Sequence, residues 1–293
     1  METCRRWDIF ELRIPGPSEG NPFTDESING VFSSGSEEIP VKGFYDGNGE
    51  YVVRFMPSSE GKYSYRITAS FGEEHSGSLE VLPPAEGNHG PVRADGRRLV
   101  YADGTPYFSI GTTCYVWELQ SDELIDETIK SLEESSFNKI RFCIFPKHYD
   151  YNLGEPCSYP YVGTPMDSSV LTRENFGEYT GKTAGNDWDL TRFNTAHFRH
   201  IEDCIRSLGR LGIEADLILM HPYDRWGFSS MPHEADLMYL SYVVARFSAF
   251  HNVWFSLANE YDLMRQKSVS DWESFGELVS KEDPYHHMLS VHI

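Results

Sequence analysis

A chain of 293 residues is long enough to bury a sizeable core, in one large domain or two ordinary ones. Its 40% hydrophobic and 14% aromatic content excludes disorder as the main state. The 45 acidic residues outnumber the 25 basic ones, and the resulting charge of −20 repels phosphate backbones and anionic lipid, so neither nucleic acid nor a membrane surface is an expected partner. Five cysteines, Cys4, Cys114, Cys143, Cys157 and Cys204, form no C-x-x-C pair and are odd in number. That pattern suits a reducing, cytoplasmic compartment. The opening METCRRWDIFELRI has no apolar core or small-residue cleavage site, and no apolar run long enough to span a bilayer follows.

In chain order, residues 1–83 read as all β. In KYSYRITASF, Tyr63, Tyr65, Ile67, Ala69 and Phe71 alternate with polar residues, which predicts a strand with one buried and one wet face. The DGNG of residues 46–49 lies between two aromatic-rich runs and predicts a tight hairpin, since it lacks the distal Glu of a calcium loop. The turn spacing suggests a small β-sandwich, closed by Pro83, Pro84 and a linker over 84–91.

From residue 92 to 293 strands alternate with helices. The apolar runs are PYFSIGTT (106–113), KIRFCIF (139–145), IEADLILM (213–220), VWFSLA (253–258) and HMLSVHI (287–293). Ser121 is placed to N-cap a helix presenting Leu124, Ile125, Ile129 and Leu132. Phe198, Ile201, Ile205 and Leu208 follow helical spacing, as do Leu237, Leu240, Val244 and Phe247. Near-continuous apolar strands separated by amphipathic helices predict a parallel sheet. No glycine-rich phosphate turn follows the first strand, so a (β/α)8 TIM-type barrel is favoured over a doubly wound sheet. Only about five of its strands are present, because such a barrel takes about 250 residues.

The active-site face of a barrel lies at the C-terminal ends of its strands. Trp117, His148 in PKHYDYN, HPYDRWGF (221–228) and NEYD (259–262) all fall there. Glu260 is the sharpest catalytic candidate: glycosidic cleavage needs a carboxyl group to protonate the leaving oxygen, and Asn259 beside it can hold a sugar hydroxyl. The alternative is that Asn259 and Glu260 cap the following helix. His221, Tyr223, Asp224 and Trp226 supply hydrogen bonds and stacking faces suited to sugars, or else an ion pair and loop packing. Arg141, a charge inside an apolar strand, either orients a carboxylate in the site or neutralises a structural one. Tyr261 and His292 complete the candidate substrate-binding set. His197 and His200 are three apart but lack a third ligand, so a solvated helix face is expected, with no metal and no cofactor.

GNPFT (20–24) and GFYDGNGEYVVRFMP (43–57) resemble the N-terminal immunoglobulin-like domain found ahead of bacterial glycoside hydrolases. YADGTPYFSIGTTCY (101–115), FPKHYDYN (145–152), HPYDRWGF and NEYDLM (259–264) resemble the apiosidase-like catalytic barrel of glycoside hydrolase clan A. The resemblance implies a retaining glycosidase acting on plant or microbial glycans, with Glu260 as acid/base after Asn259. It also implies a nucleophilic Glu on strand seven, which these 293 residues do not include. An oligosaccharide or glycoside is then the expected partner. A second reading is a truncated, catalytically silent or carbohydrate-binding fragment that self-associates through open barrel edges.

Overall fold

The computed structural model describes residues 2–293 and divides into two compact units. One gathers the chain up to Phe108 with Met238–Val253 and Glu277–Met288; the other comprises Ser109–Leu237, Trp254–Gly276 and Leu289–Ile293.

The first unit is mostly β. Its strands are β1 (Glu2–Arg5), β2 (Phe10–Pro15), β3 (Ile28–Ser34), β4 (Glu37–Lys42), β5 (Phe44–Tyr45), β6 (Glu50–Phe55), β7 (Gly61–Ala69) and β8 (Glu74–Leu82), with a single helical turn α1 (Pro22–Asp25). They form a five-stranded sheet, β1-β8-β7-β3-β4, and a three-stranded one, β2-β6-β5. Strand β7 keeps the predicted alternation, burying Tyr63 and Ile67 while Lys62, Ser64, Arg66 and Thr68 face water. In the core Phe32 stacks on Phe55 with centroids 4.1 Å apart. DGNG is a turn: Gly47, Asn48 and Gly49 all take positive φ between β5 and β6.

The run 106–113, expected as one strand, is two. Pro106–Tyr107 (β11) pairs antiparallel with β10 (Arg98–Tyr101), which pairs with β9 (Val92–Asp95). Pro106 has no N–H to donate and sits on the edge of that sheet. Gly111–Thr113 (β12) opens the second unit.

That unit is built on a parallel sheet in the order β12-β13-β16-β17-β18, with β13 (Lys139–Cys143), β16 (Glu214–Met220), β17 (Val253–Ala258) and β18 (Leu289–Ser290). Strand β16 is buried along its whole length, as a continuous apolar run requires. The fifth expected strand narrows to Leu289–Ser290. Helices α2 (Asp122–Glu133) and α3 (Thr195–Arg210) belong to this unit, while α4 (His233–Phe247) and α5 (Val269–Glu282) are each divided between the two units. Ser121 takes the N-cap position of α2, and Asn194 caps α3 by accepting the Ala196 N–H.

Side chains alternate along β13. Ile140 and Phe142 occupy one face, while Lys139 and Arg141 occupy the other beside the neighbouring strands' ions. On that polar face Lys139 Nζ lies 2.9 Å from Asp216 Oδ2, and Arg141 donates to Ser256 Oγ at 2.9 Å. Trp254 Nε1 donates to Glu214 Oε2 at 2.8 Å, with the Lys139 ammonium over the indole.

Candidate active site

Strand β17 explains how the polar NEYD segment is placed. Its apolar run ends at Ala258, after which the Asn259 N–H donates to Met220 O at the end of β16. Glu260 then turns into the left-handed region, with φ 52° and ψ 57°. A residue with a Cβ pays for that conformation with steric strain of about 1–2 kcal/mol. Such strain persists where surrounding contacts impose it, often at functional sites. The imposing contacts are main-chain bonds on the other side: His292 N–H donates to Ala258 O, and Tyr261 N–H to His292 O.

The Glu260 side chain, half-buried, receives two donors on Oε2. One is the Tyr223 hydroxyl, from the end of β16, and the other is Asn259 Nδ2 at 3.2 Å. Burial and the Glu260 carboxylate push the Tyr223 phenol up to about 12, so it remains a donor at neutral pH. Beside this pair lies Lys147, beyond the end of β13. Its Nζ sits 3.3 Å from the Tyr115 ring centroid, 4.1 Å from that of Tyr223 and 5.6 Å from that of Tyr149. The ammonium forms no ion pair among the described residues. Burial lowers its pKa, while the Glu260 carboxylate opposes that shift. His221 is buried and donates from Nε2 to Phe145 O. Burial holds it down at about 4, so a neutral imidazole stands at this strand end.

The other expected site residues go elsewhere. Arg141 lies on the polar face of the sheet and serves Asp216 and Ser256. Trp117 is buried, edge-on to Phe142. Asp224 accepts the N–H groups of Trp226, Gly227 and Ser229 and so fixes its own turn. Trp226 is only 1% exposed and donates to Glu155 Oε2, leaving no face open for stacking on a sugar. His148 stacks on Phe176 and meets Arg225, which bonds Glu155 in turn. These residues anchor the long loop between β13 and α3. That loop contains a hairpin of its own, β14 (Tyr161–Thr164) with β15 (Asp187–Phe193). Tyr261 packs edge-on to Trp272, and His292 joins through its main chain with its side chain exposed.

The expected solvated face at His197 and His200 is corrected. His197 is fully buried between Ser158 Oγ and Ile144 O, and half-buried His200 bonds Glu118 O, because the loop folds over this side of α3. Among the described residues no three His, Cys, Asp or Glu side chains form a metal-binding group, and no helix is long and apolar enough to cross a membrane. Sequence reasoning missed Lys147 and Tyr115. The signal for Lys147 was a lysine flanked by aromatics directly after an apolar strand.

Residues 93–293 match the apiosidase-like catalytic domain family, and residues 3–70 match DUF5060, a domain of unknown function. A solved structure of a candidate glycoside hydrolase from Bacteroides vulgatus is 40% identical, covers 100% of this chain and 56% of its own, and superposes with a TM-score of 0.91. A family 5 glycoside hydrolase from the same species is 14% identical, covering 71% of this chain and 39% of its own, with a TM-score of 0.48. An endo-1,4-β-mannanase from Rhizomucor miehei is 17% identical, covering 69% and 60%, with a TM-score of 0.42. No curated protein matches the chain. A β-rich region followed by a parallel-sheet α/β unit, as in that 40%-identical structure, is a glycoside-hydrolase type of fold. The chain belongs to the apiosidase-like catalytic domain family. It spans 56% of the length of the Bacteroides vulgatus relative.

Proposed function

We propose that Glu260 is the acid/base of a retaining glycoside hydrolase acting on plant or microbial glycans. The observation that carries this reading is one carboxylate, held at the end of a parallel strand in a strained left-handed turn, with Tyr223 and Asn259 both donating to Oε2. Glu260 protonates the leaving oxygen in the first step and activates water in the second. Asn259 divides its amide between Glu260 and a sugar hydroxyl. His221, neutral, and Tyr223 border the same mouth, and Asp224, Trp226 and His148 act by holding the loop that shapes it. Retention requires a second carboxylate about 5 to 5.5 Å from the first. We place it outside these 293 residues, consistent with the 56% share of the relative that they span. The domain reading of a sandwich over 1–83, a linker over 84–91 and a catalytic region over 92–293 belongs to this proposal. So does a reducing cytoplasmic location, which the five free cysteines support.

The test uses the intact gene product on glycan substrates, comparing wild type with Glu260→Gln. Activity is expected to fall by roughly 10²- to 10⁴-fold, with the anomeric configuration retained in the wild-type product by NMR. An unchanged rate in the variant would refute the assignment.

A further inference from the structure

Lys147 is the charged member of this cluster that the catalytic reading leaves without a task. It is 7% exposed, its ammonium is enclosed by the rings of Tyr115, Tyr223 and Tyr149, and no carboxylate pairs with it among the described residues. Burying an unpaired ammonium is costly, and cation–π contacts offset only part of that cost. The Tyr223 ring that caps Lys147 carries the hydroxyl that donates to Glu260. We propose that Lys147 is a positioning residue for Glu260, acting through Tyr223: the ammonium fixes the ring and polarises its O–H toward the carboxylate.

The surrounding charges leave Lys147 in that role. Burial keeps the Cys143 thiol and the Tyr115 phenol protonated and His221 uncharged at pH 7. Arg141, which also reaches Tyr115 electrostatically, is engaged by Asp216 and Ser256. Asp262, which acts on Tyr223, is exposed to solvent. A cation placed against the ring face draws electron density from the phenol and strengthens its hydrogen bond to an anion. Loss of the cation therefore weakens the Tyr223–Glu260 bond and favours the protonated carboxyl.

The inference takes its significance from the proposed role of Glu260, but its test requires no sugar, so loss of the glycosidase reading would leave the result intact. The 293-residue chain, labelled with 13C at glutamate Cδ, is titrated by NMR, with Glu260→Gln used to assign the resonance. Lys147→Met is expected to raise the Glu260 titration by about one pH unit, and Lys147→Arg to recover most of that shift. In a Tyr223→Phe background, Lys147→Met should add less than half as much. A Glu260 titration unmoved by Lys147→Met overturns the proposal, as does an undiminished shift without the Tyr223 hydroxyl. The reciprocal measurement leaves Lys147 in place and covers the case in which Lys147→Met does not fold. With 13C at lysine Cε, Glu260→Gln should lower the Lys147 titration, by less when Tyr223 is Phe, and an unchanged titration again overturns the proposal.

Discussion

The left-handed Glu260 separates chemistry from stability at a single residue. Glycine adopts φ 52° without a Cβ clash, so Glu260→Gly is expected to abolish activity while raising stability by about 1 kcal/mol. The gain would be partly offset by glycine's freedom in the unfolded chain. Denaturant midpoints of the two proteins measure it, and a destabilised variant would show that the turn is not strained. A second residue-scale effect concerns Glu214, whose burial pushes its carboxyl from 4.5 up to about 8 despite the Trp254 N–H and Lys139. Its folded pKa is raised, so its stabilising contribution is complete below pH 4.5 and is lost as pH rises toward 8. That loss is on the order of 1 kcal/mol per pH unit at most. Glu214→Gln should flatten this decline, with its largest advantage over wild type near pH 8 and little below pH 4.5. Thermal midpoints between pH 4 and 8 would show it.

Among the elements, the HPYDRWGF turn shows how little of a site local sequence can specify. Asp224→Ala would strip the acceptor from three N–H groups in a buried turn and is expected to cost about 3 kcal/mol. Urea unfolding measures that cost. Amide exchange should quicken through the β14–β15 hairpin, which Trp188 Nε1 and Asn186 Nδ2 tie to this turn at Trp226 O and Arg225 O. The same composition of His, Tyr, Asp, Arg and Trp serves equally for a sugar platform or for a buried anchor, and only the packing of the loop decides. The apolar strands were legible because continuous burial leaves a continuous run, and Glu260 because a carboxylate ends one of them. The tyrosine enclosure of Lys147 was not legible, since it draws on three separate strand ends. Strand β15 was missed although DWDLTRF alternates with period two, because its setting inside a polar loop masked the pattern.

For the chain as a whole, the parallel sheet of the second unit ends in two short edge strands, β12 and β18. Near these edges Ile110 and Val291 are about half exposed and Ile293 is 78% exposed. Unpaired edges flanked by apolar side chains pair readily with other chains. Light scattering on the 293-residue chain is therefore expected to show association that increases with salt, because screening relieves the repulsion between copies each carrying −20. A monomer at all salt concentrations would contradict this.

The ions on the sheet's polar face also bear on alignment. Sliding β13 two residues along β16 would set Ile140 against Leu217 and Phe142 against Leu219, which is as apolar as the native match of Ile140 with Ala215 and Phe142 with Leu217. Greasiness alone therefore cannot tell the two alignments apart. On the opposite face the same slide would put Arg141 against Ile218 and carry it away from Asp216, the carboxylate it now faces. The buried charges weaken the sheet in energy but give it a ruler, and the strand end that carries Glu260 is laid down against that ruler.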